Sequence, residues 1–333
     1  FEQVAELLWG VAVRPADDDH WELHLDDLSR IRAVQNALGD EVPSLDRLRV
    51  AVATLSASDP LRHDLSPTSV ANAGRRMIAG MVAAMPKLHV GPRGRLADQL
   101  WLGLALAPGS DAQRRVLNAA LVLLADHGLA ASTFAVRVAS SVRADPYSAV
   151  STGLGAVGGV LHGAASTAVH RLLQQADLEG ADVALGRELS AGRRLGGVGH
   201  AVYQHRDRRE EVLLDLIRTA WADDPRLSAV LELRHHISER LPQPVNIDFA
   251  LGALTWLGDM DPSAEAIFAI ARTAGWVAHS IEENAESAGR FRPVARYVSA
   301  TATTVEVSPL DGPYLDGPHL DGGANGPGDG IDA

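Results

Sequence analysis

The sequence contains no cysteine, so disulfides, thiolate metal sites and cysteine nucleophiles are excluded. It is also short of basic residues. Its 30 Lys and Arg against 42 Asp and Glu give a net charge of −12, whereas a nucleic-acid-binding domain normally carries a basic face. No apolar run approaches the ~18 residues of a membrane span. These absences exclude nucleic acid and membrane as partners and predict a cytoplasmic protein.

Apolar residues, at 46 % of a 333-residue chain, are abundant enough for one large domain or two moderate ones with a substantial core. They recur at helical spacing along most of the sequence. Helices are predicted over 111–127 after an N-cap at Ser110, over 208–221, and from Asp261-Pro262 to Glu286. The fold is therefore predicted to be mainly α.

Three stretches depart from the helical pattern. Residues 58–67 are polar and broken by prolines, which predicts a loop. Residues 296–307 alternate weakly and are a candidate strand. Residues 308–333 repeat Leu-Asp-Gly-Pro and have too little apolar surface to offset their ordering entropy, so a disordered tail is predicted.

Two patterns reminiscent of cofactor sites are weak. The Gly-x-Gly-x-x-Gly run over 153–158 matches the dinucleotide fingerprint, but residues 145–150 do not form the β-pattern that should precede it. Close packing of the backbone is the better interpretation. His20 and His24 lie in an acidic segment without the glutamate next to the first histidine that a zinc-peptidase helix requires. The sequence therefore predicts no metal and no cofactor.

Three segments place an acid/base side chain beside a turn marked by glycine or proline: His162, His200 and Asp248. Two imidazoles and a carboxylate can enolise a carbonyl compound and protonate an acceptor. Each residue also has a structural interpretation. His162 would be a buried histidine with its ring nitrogens hydrogen-bonded, and His200 an ordinary polar residue of a turn. Asp248 would be an acid favoured by the dipole of a helix capped by Asn246. That same helix N-terminus lowers the pKa of a carboxylate and keeps it ionised.

Arg272 lies in the segment 266–278, which is apolar on all sides and therefore predicted to be buried. Phe268 and Trp276 share its face of the helix. A buried guanidinium requires an anion, either a substrate carboxylate, which its planar fork suits, or a buried Asp or Glu. His127, at the end of a predicted helix, fits either a ligand or an imidazolium favoured by the helix dipole.

Taken in order, these segments resemble the citrate synthase family, and the likeness runs from Phe1 to about Tyr297. The order and spacing of the motifs make it specific. The motifs are Ala-Asp-His-Gly at 125–128, Gly-Val-Leu-His-Gly at 159–163, Gly-Val-Gly-His-Ala-Val-Tyr at 197–203, Asp-Arg-Arg at 207–209, Asn-Ile-Asp-Phe at 246–249, Ala-Arg-Thr-Ala-Gly-Trp at 271–276 and Arg-Pro at 292–293.

The resemblance implies condensation of acetyl-CoA with oxaloacetate to give citrate and CoA. The implied catalytic residues are Asp248 as base, His162 as stabiliser of the enol and His200 as proton donor to the acceptor carbonyl. The implied oxaloacetate ligands are His127, Arg209, Arg272 and Arg292. The implied CoA-binding residues are Arg194, Gly196, Gly197, Val198, Gly199 and Phe268.

The resemblance also implies two helical domains, a large one from 1–163 and 260–307 and a small one, 164–259, inserted in it. Closure of one domain on the other would exclude water from the cleft. Arg292 is implied to enter the partner subunit's site, so a homodimer is expected.

Two positions depart from the family pattern: Ala130 and Ser166 stand where asparagine is usual. Together with the unusual tail, they leave two alternatives open. One is a 2-methylcitrate synthase that uses propionyl-CoA, since one methylene is worth only ~1–3 kcal/mol in a pocket. The other is a non-catalytic paralogue that binds CoA or oxaloacetate.

Overall fold

The computed structural model describes residues 1–11, 21–86, 94–159, 165–260 and 264–294. These ranges contain fourteen α-helices and no β-strand, which confirms the predicted mainly α fold. In chain order the helices are α1 Glu2–Leu8, α2 Leu25–Asn36, α3 Ser44–Ser58, α4 Pro67–Ala83, α5 Leu96–Leu104, α6 Asp111–Leu124, α7 Ala131–Ser141, α8 Pro146–Val157, α9 Ala165–Glu179, α10 Ala181–Ser190, α11 Arg208–Ala220, α12 Leu227–Arg240, α13 Ile247–Leu257 and α14 Ala264–Ala285.

The start of α6 follows the sequence signal. The Ser110 hydroxyl accepts a hydrogen bond from the Gln113 amide, and the Gln113 side chain accepts one from the Ser110 amide, so both orphan donors are satisfied. The helix ends at Leu124 rather than at the predicted His127. The Asp126 carboxylate accepts a hydrogen bond from the Gly128 amide at 3.1 Å, and this local bond replaces the one that a continued helix would need. The early end leaves His127 outside the helix.

Helix α14 is the central helix of the core and packs against α4, α6, α7 and α8. Trp276 on α14 is fully buried, and a Cβ on Gly153 of α8 would lie 2.8 Å from its ring. Gly153 is thus required by close helix packing. Because the glycine run lies largely within α8, the dinucleotide fingerprint is excluded, as the sequence predicted.

A second set of helices surrounds α9, which packs against α10, α12 and α13. Gly252 of α13 makes the closest approach, since a Cβ there would lie 2.6 Å from the Val169 side chain and 2.8 Å from the Ser166 carbonyl oxygen. The α9–α13 contact therefore brings the start of α9 close to α13.

The predicted loop over 58–67 is confirmed, since α3 ends at Ser58 and α4 begins at Pro67. The proposed strand 296–307, the tail 308–333 and the Asp261-Pro262 cap lie outside the described residues. A boundary between two compact units falls after Phe291; the division at 164 and 259 stays a prediction. None of the helices in the described ranges is long and apolar enough to cross a membrane.

Candidate active site

The segment that carries His127 is fixed against α14. The Gly275 amide donates to the Ala125 carbonyl at 2.8 Å, and a Cβ on Gly275 would lie 2.6 Å from that oxygen. Asp126 accepts a hydrogen bond from His279 Nε2 at 3.2 Å. Burial opposes ionisation of Asp126, but hydrogen bonds from His279 and from backbone amides lower its pKa to about 2. An ionised Asp126 therefore holds the turn on which His127 stands.

The two motifs at 197–203 and 246–249 meet through their backbones. Val198 forms an isolated β-bridge with Val245. The Asn246 amide donates to the Gly197 carbonyl at 2.9 Å, and its side-chain amide donates to the Gly199 carbonyl at 2.6 Å. These bonds join the glycine turn before His200 to the start of α13.

Asp248 lies in the first turn of α13, as the sequence predicted. The Asn246 side chain accepts the Asp248 amide at 2.9 Å and so caps the helix. The hydroxyl of Ser166, at the start of α9, donates to Asp248 Oδ1 at 2.6 Å. The helix dipole and this hydrogen bond both favour the carboxylate form.

Three rings form the centre of the candidate site. The rings of His127 and His200 meet edge to face with centroids 5.2 Å apart. Tyr203 contacts both rings, at 5.4 Å from His127 and 4.9 Å from His200. The structure thus brings together two motifs that are more than seventy residues apart in sequence.

The contacts of His200 determine which ring nitrogen carries its proton. Nδ1 accepts hydrogen bonds from the backbone amides of Val202 at 3.0 Å and Tyr203 at 3.3 Å, so the proton of the neutral ring is on Nε2. Burial and the nearby Arg209 guanidinium lower the pKa of His200, although Asp207 and Asp248 act in the opposite direction. His200 is therefore a neutral imidazole with an Nε2–H to donate.

His127 is neutral for similar reasons. Burial, followed by the positive charges of Arg209 and Arg272, lowers its pKa to about 4. The imidazolium interpretation, in which a charged His127 interacts with a helix dipole, is therefore not supported. A neutral ring between two guanidinium groups is suited to bind an anionic ligand by a hydrogen bond.

Arg209 is oriented by a buried acid. Its Nε and one terminal nitrogen donate to the two carboxylate oxygens of Asp207 at 2.9 and 2.8 Å. Asp207 also accepts the Ile247 amide at 3.0 Å. Burial opposes its ionisation, but these hydrogen bonds and the Arg209 charge lower the pKa of Asp207. The guanidinium carbon of Arg209 lies 4.8 Å from the Tyr203 ring centroid.

Arg272 is 2 % exposed, as its apolar surroundings predicted. Its Nε donates to the Leu124 carbonyl at 2.8 Å, and its guanidinium carbon lies 4.7 Å from the Phe268 ring centroid. Among the described residues, no carboxylate lies within ion-pair distance of it, so the structural pairing with a buried Asp or Glu is not found there. Burial lowers the pKa of Arg272 to about 10, a cost that a bound anion would relieve.

The glycines assigned to CoA are required by their positions. A Cβ on Gly196 would lie 2.3 Å from the Ala165 carbonyl oxygen. Gly197 and Gly199 have φ of 73° and 75°, which only glycine adopts without strain. Val198 between them is partly buried, and Arg194 before the turn is exposed. CoA binding by this turn stays a prediction.

Two predicted residues are not placed in the site. His162 lies in 160–164, outside the described residues. Arg292 is exposed and follows the boundary after Phe291. Over the described ranges, no three His, Asp or Glu side chains lie together as metal ligands would.

The sequence analysis assigned no role to two residues of the site. Tyr203 contacts His127, and Asp207 contacts Arg209. The signals were present, since Tyr203 follows His200 by three residues and Asp207 precedes Arg209 by two. Ser166 was noted only as a departure from the family pattern, yet it contacts Asp248.

The comparisons with known proteins agree with this geometry. The family model described as "Citrate synthase, C-terminal domain" matches residues 1–294. A 2-methylcitrate synthase of Mycobacterium tuberculosis is 31 % identical over 322 residues, covering 89 % of this chain and 80 % of that protein. A citrate synthase of Mycolicibacterium smegmatis is 30 % identical over 335 residues, covering 89 % and 84 %.

Solved structures show the same fold. The citrate synthase of Thermoplasma acidophilum, in a ternary complex with carboxymethyl coenzyme A and oxaloacetate, superposes with a TM-score of 0.74 at 24 % identity and covers 92 % of this chain and 87 % of its own. That of Pyrobaculum aerophilum gives 0.72 at 25 % identity, with coverage of 93 % and 84 %. Because the family model and relatives at 30 % identity or more cover most of the sequence, the chain belongs to the citrate synthase family and is an enzyme that transfers an acyl group.

Proposed function

We propose that this enzyme condenses acetyl-CoA with oxaloacetate to give citrate and CoA. The observation that carries the proposal is the cluster of neutral His127 and His200 beside Arg209 and the buried Arg272. Two guanidinium groups and a neutral imidazole suit a keto acid with two carboxylates. The cluster is thus assigned to the binding of oxaloacetate, the electrophile of the reaction.

The first chemical step forms the nucleophile. Asp248, ionised at the start of α13, takes a proton from the methyl group of the thioester, and the C–H electron pair forms the enolate. His162, by its place in the family motif, donates a hydrogen bond to the thioester oxygen on which negative charge develops. His162 and Asp248 are thus assigned to the same half of the reaction.

The second step forms the carbon–carbon bond. The enolate carbon attacks the keto carbon of oxaloacetate, and the carbonyl electron pair takes the proton from His200 Nε2. The two backbone amides at His200 Nδ1 stabilise the negative charge left on the ring. Water then adds to the citryl thioester, CoA leaves as the thiol, and Asp248 and His200 return to their starting states by proton exchange with solvent.

The remaining assignments follow the family motifs. His127, Arg209, Arg272 and the partner's Arg292 bind oxaloacetate, while Arg194, the turn 196–199 and Phe268 bind the thioester. The small domain, 164–259, moves against the large one on substrate binding. No cofactor is assigned to the reaction, and the enzyme acts in the cytoplasm.

A homodimer fits the surface of α7. Phe134, Val138 and Val142 recur at intervals of one helical turn and are 46 %, 37 % and 69 % exposed, next to Leu129 at 65 %. A second copy of the chain is the occupant that we propose for this apolar face, since Arg292 is assigned to the partner's site.

A second candidate reaction is the formation of 2-methylcitrate from propionyl-CoA, which the 31 % identity to the M. tuberculosis enzyme favours. Release of free CoA from each thioester with oxaloacetate decides between the two. We expect acetyl-CoA to give the higher kcat/KM. A higher value for propionyl-CoA would support the second candidate.

The non-catalytic alternative is not kept, because the family comparisons support an enzyme that transfers an acyl group. Binding of oxaloacetate and CoA, measured by calorimetry, with no CoA release from either thioester would contradict both proposed reactions.

A further inference from the structure

The start of α9 packs against α13 so closely that no side chain could be added at the contact. Ser166 is 2 % exposed, and its carbonyl lies opposite Gly252, where any Cβ would approach to 2.8 Å. Val169, one turn further along α9, fills the space left by Gly252 and Gly197. The side chain of Ser166 is therefore fixed relative to α13.

The Ser166 hydroxyl uses this position to donate to Asp248 Oδ1 at 2.6 Å. On the other side, Asn246 holds the Asp248 amide at 2.9 Å. Backbone and side chain of Asp248 are thus restrained from two different elements. The bond is part-buried, and a hydroxyl that donates to a carboxylate makes one of the stronger hydrogen bonds of a protein.

We infer that Ser166 is the positioning residue that holds the carboxylate of Asp248 in the orientation from which it takes the proton of the thioester, an inference that rests on the function proposed above. Because Ser166 is buried, we assign it no contact with the substrate. It acts through Asp248, by directing Oδ1 toward α9 and so fixing the plane of the carboxylate.

The hydrogen bond has a second consequence with a defined sign. It stabilises the charged form of Asp248 and not the protonated form, so it lowers the pKa of the base. Loss of the hydroxyl raises that pKa, while His200 and Arg272, which also interact electrostatically with Asp248, stay in place. Because turnover needs the ionised carboxylate, the acid limb of the pH profile then moves to higher pH.

The test compares Ser166→Ala with Ser166→Thr, which keeps the hydroxyl, across the pH profile of kcat/KM for the thioester. In Ser166→Ala we expect the acid limb to move up by about one pH unit and kcat to fall by about tenfold. Ser166→Thr should lie closer to the wild type in both quantities. A profile that does not move in Ser166→Ala would overturn the inference.

Ser140→Ala is the matched control, because Ser140 is also buried and loses one hydrogen bond, to Ser280 at 2.9 Å. It should reduce thermal stability and leave the pH profile unchanged. An equal shift of the profile in Ser140→Ala would show that the effect is structural.

A readout independent of turnover separates this inference from the proposed function. The pKa of Asp248 is read from the ¹³C-carboxyl signals of labelled aspartate that disappear in Asp248→Asn. A higher Asp248 pKa in Ser166→Ala supports the hydrogen bond even if the wild type releases no CoA, a result that would contradict the proposed function alone. An unchanged pKa, in an active wild type, contradicts the role of Ser166 alone.

Discussion

The hydroxyl of Tyr203 lies 3.1 Å from Nε2 of His127. This hydrogen bond links the turn after α6 to the turn that carries His200. It occupies Nε2 of His127, a residue that we propose binds oxaloacetate, while the guanidinium of Arg209 lies over the Tyr203 ring. In the free protein, Tyr203 therefore links His127 and Arg209, two residues that we propose bind oxaloacetate.

Removing the Tyr203 hydroxyl should tighten oxaloacetate binding. Tyr203→Phe keeps the ring under Arg209 but removes a hydrogen bond made in the free state, worth about 0.5–1.5 kcal/mol, or roughly 2–12-fold in Kd. Calorimetric titration with oxaloacetate measures the change. Weaker binding in Tyr203→Phe would mean that the hydroxyl contacts the ligand itself.

Arg272 should be needed for binding but not for folding. Arg272→Met removes a buried charge for which no described carboxylate lies within ion-pair distance, so we expect unchanged or increased stability in the absence of ligand. Oxaloacetate affinity should fall by at least ~100-fold, since a bidentate carboxylate contact is lost. Urea denaturation and calorimetry test the two parts. Marked destabilisation would show instead that Arg272 has a structural role.

Asp248→Asn should separate catalysis from binding. The amide keeps the shape and the cap of α13 but cannot accept a proton from carbon, so we expect kcat to fall by at least ~1,000-fold. Oxaloacetate affinity should stay within a few-fold of the wild type. Steady-state CoA release and calorimetry measure these quantities. Asp215→Asn, at an exposed position on α11, is the control and should keep full activity.

The stability of the protein should depend on pH through His127. Its pKa is about 4 in the folded protein, below that of an unfolded histidine near ~6.5. Between these two values the unfolded chain binds a proton that the folded protein does not, so stability rises with pH in this window and is lost as pH falls. His127→Gln should flatten this dependence in urea unfolding at pH 5 and 7. An equally steep dependence would assign it to other groups.

The apolar face of α7 should control the oligomeric state. Val138→Glu with Val142→Glu places two charges on the proposed dimer contact, and we expect a monomer by analytical ultracentrifugation. Val183→Glu, at a 52 % exposed position on α10, is the control and should leave the dimer intact. A dimer that persists with both charges on α7 would move the interface elsewhere.

Local features of the fold could be predicted because they depend on neighbouring residues. The Ser110 cap, the Asn246 cap and the loop after Ser58 each follow from residues within a few positions along the chain. The end of α6 was predicted three residues too late because a competing bond from Asp126 outweighs the apolar periodicity.

The chemistry of the site could be predicted only in outline. Residue types and motif order indicated an aspartate, histidines and arginines, but not that Asp207 orients Arg209 or that Tyr203 bonds His127. Both contacts depend on the position of the turn at Gly199, and that turn is held by Pro244 and Asn246, which precede α13 and lie far along the chain.

The sequence by itself determined the helical fold, the family and the identity of the acid, base and guanidinium groups, because periodicity, caps and motifs are properties of short segments. The tertiary structure decided which of those groups are neutral, buried or oriented. His127 is neutral because burial and the charges of two arginines lower its pKa. Ser166 contacts Asp248 because Gly252 allows α9 to pack closely against α13. Such effects arise from contacts between distant residues, which spacing along a chain does not encode.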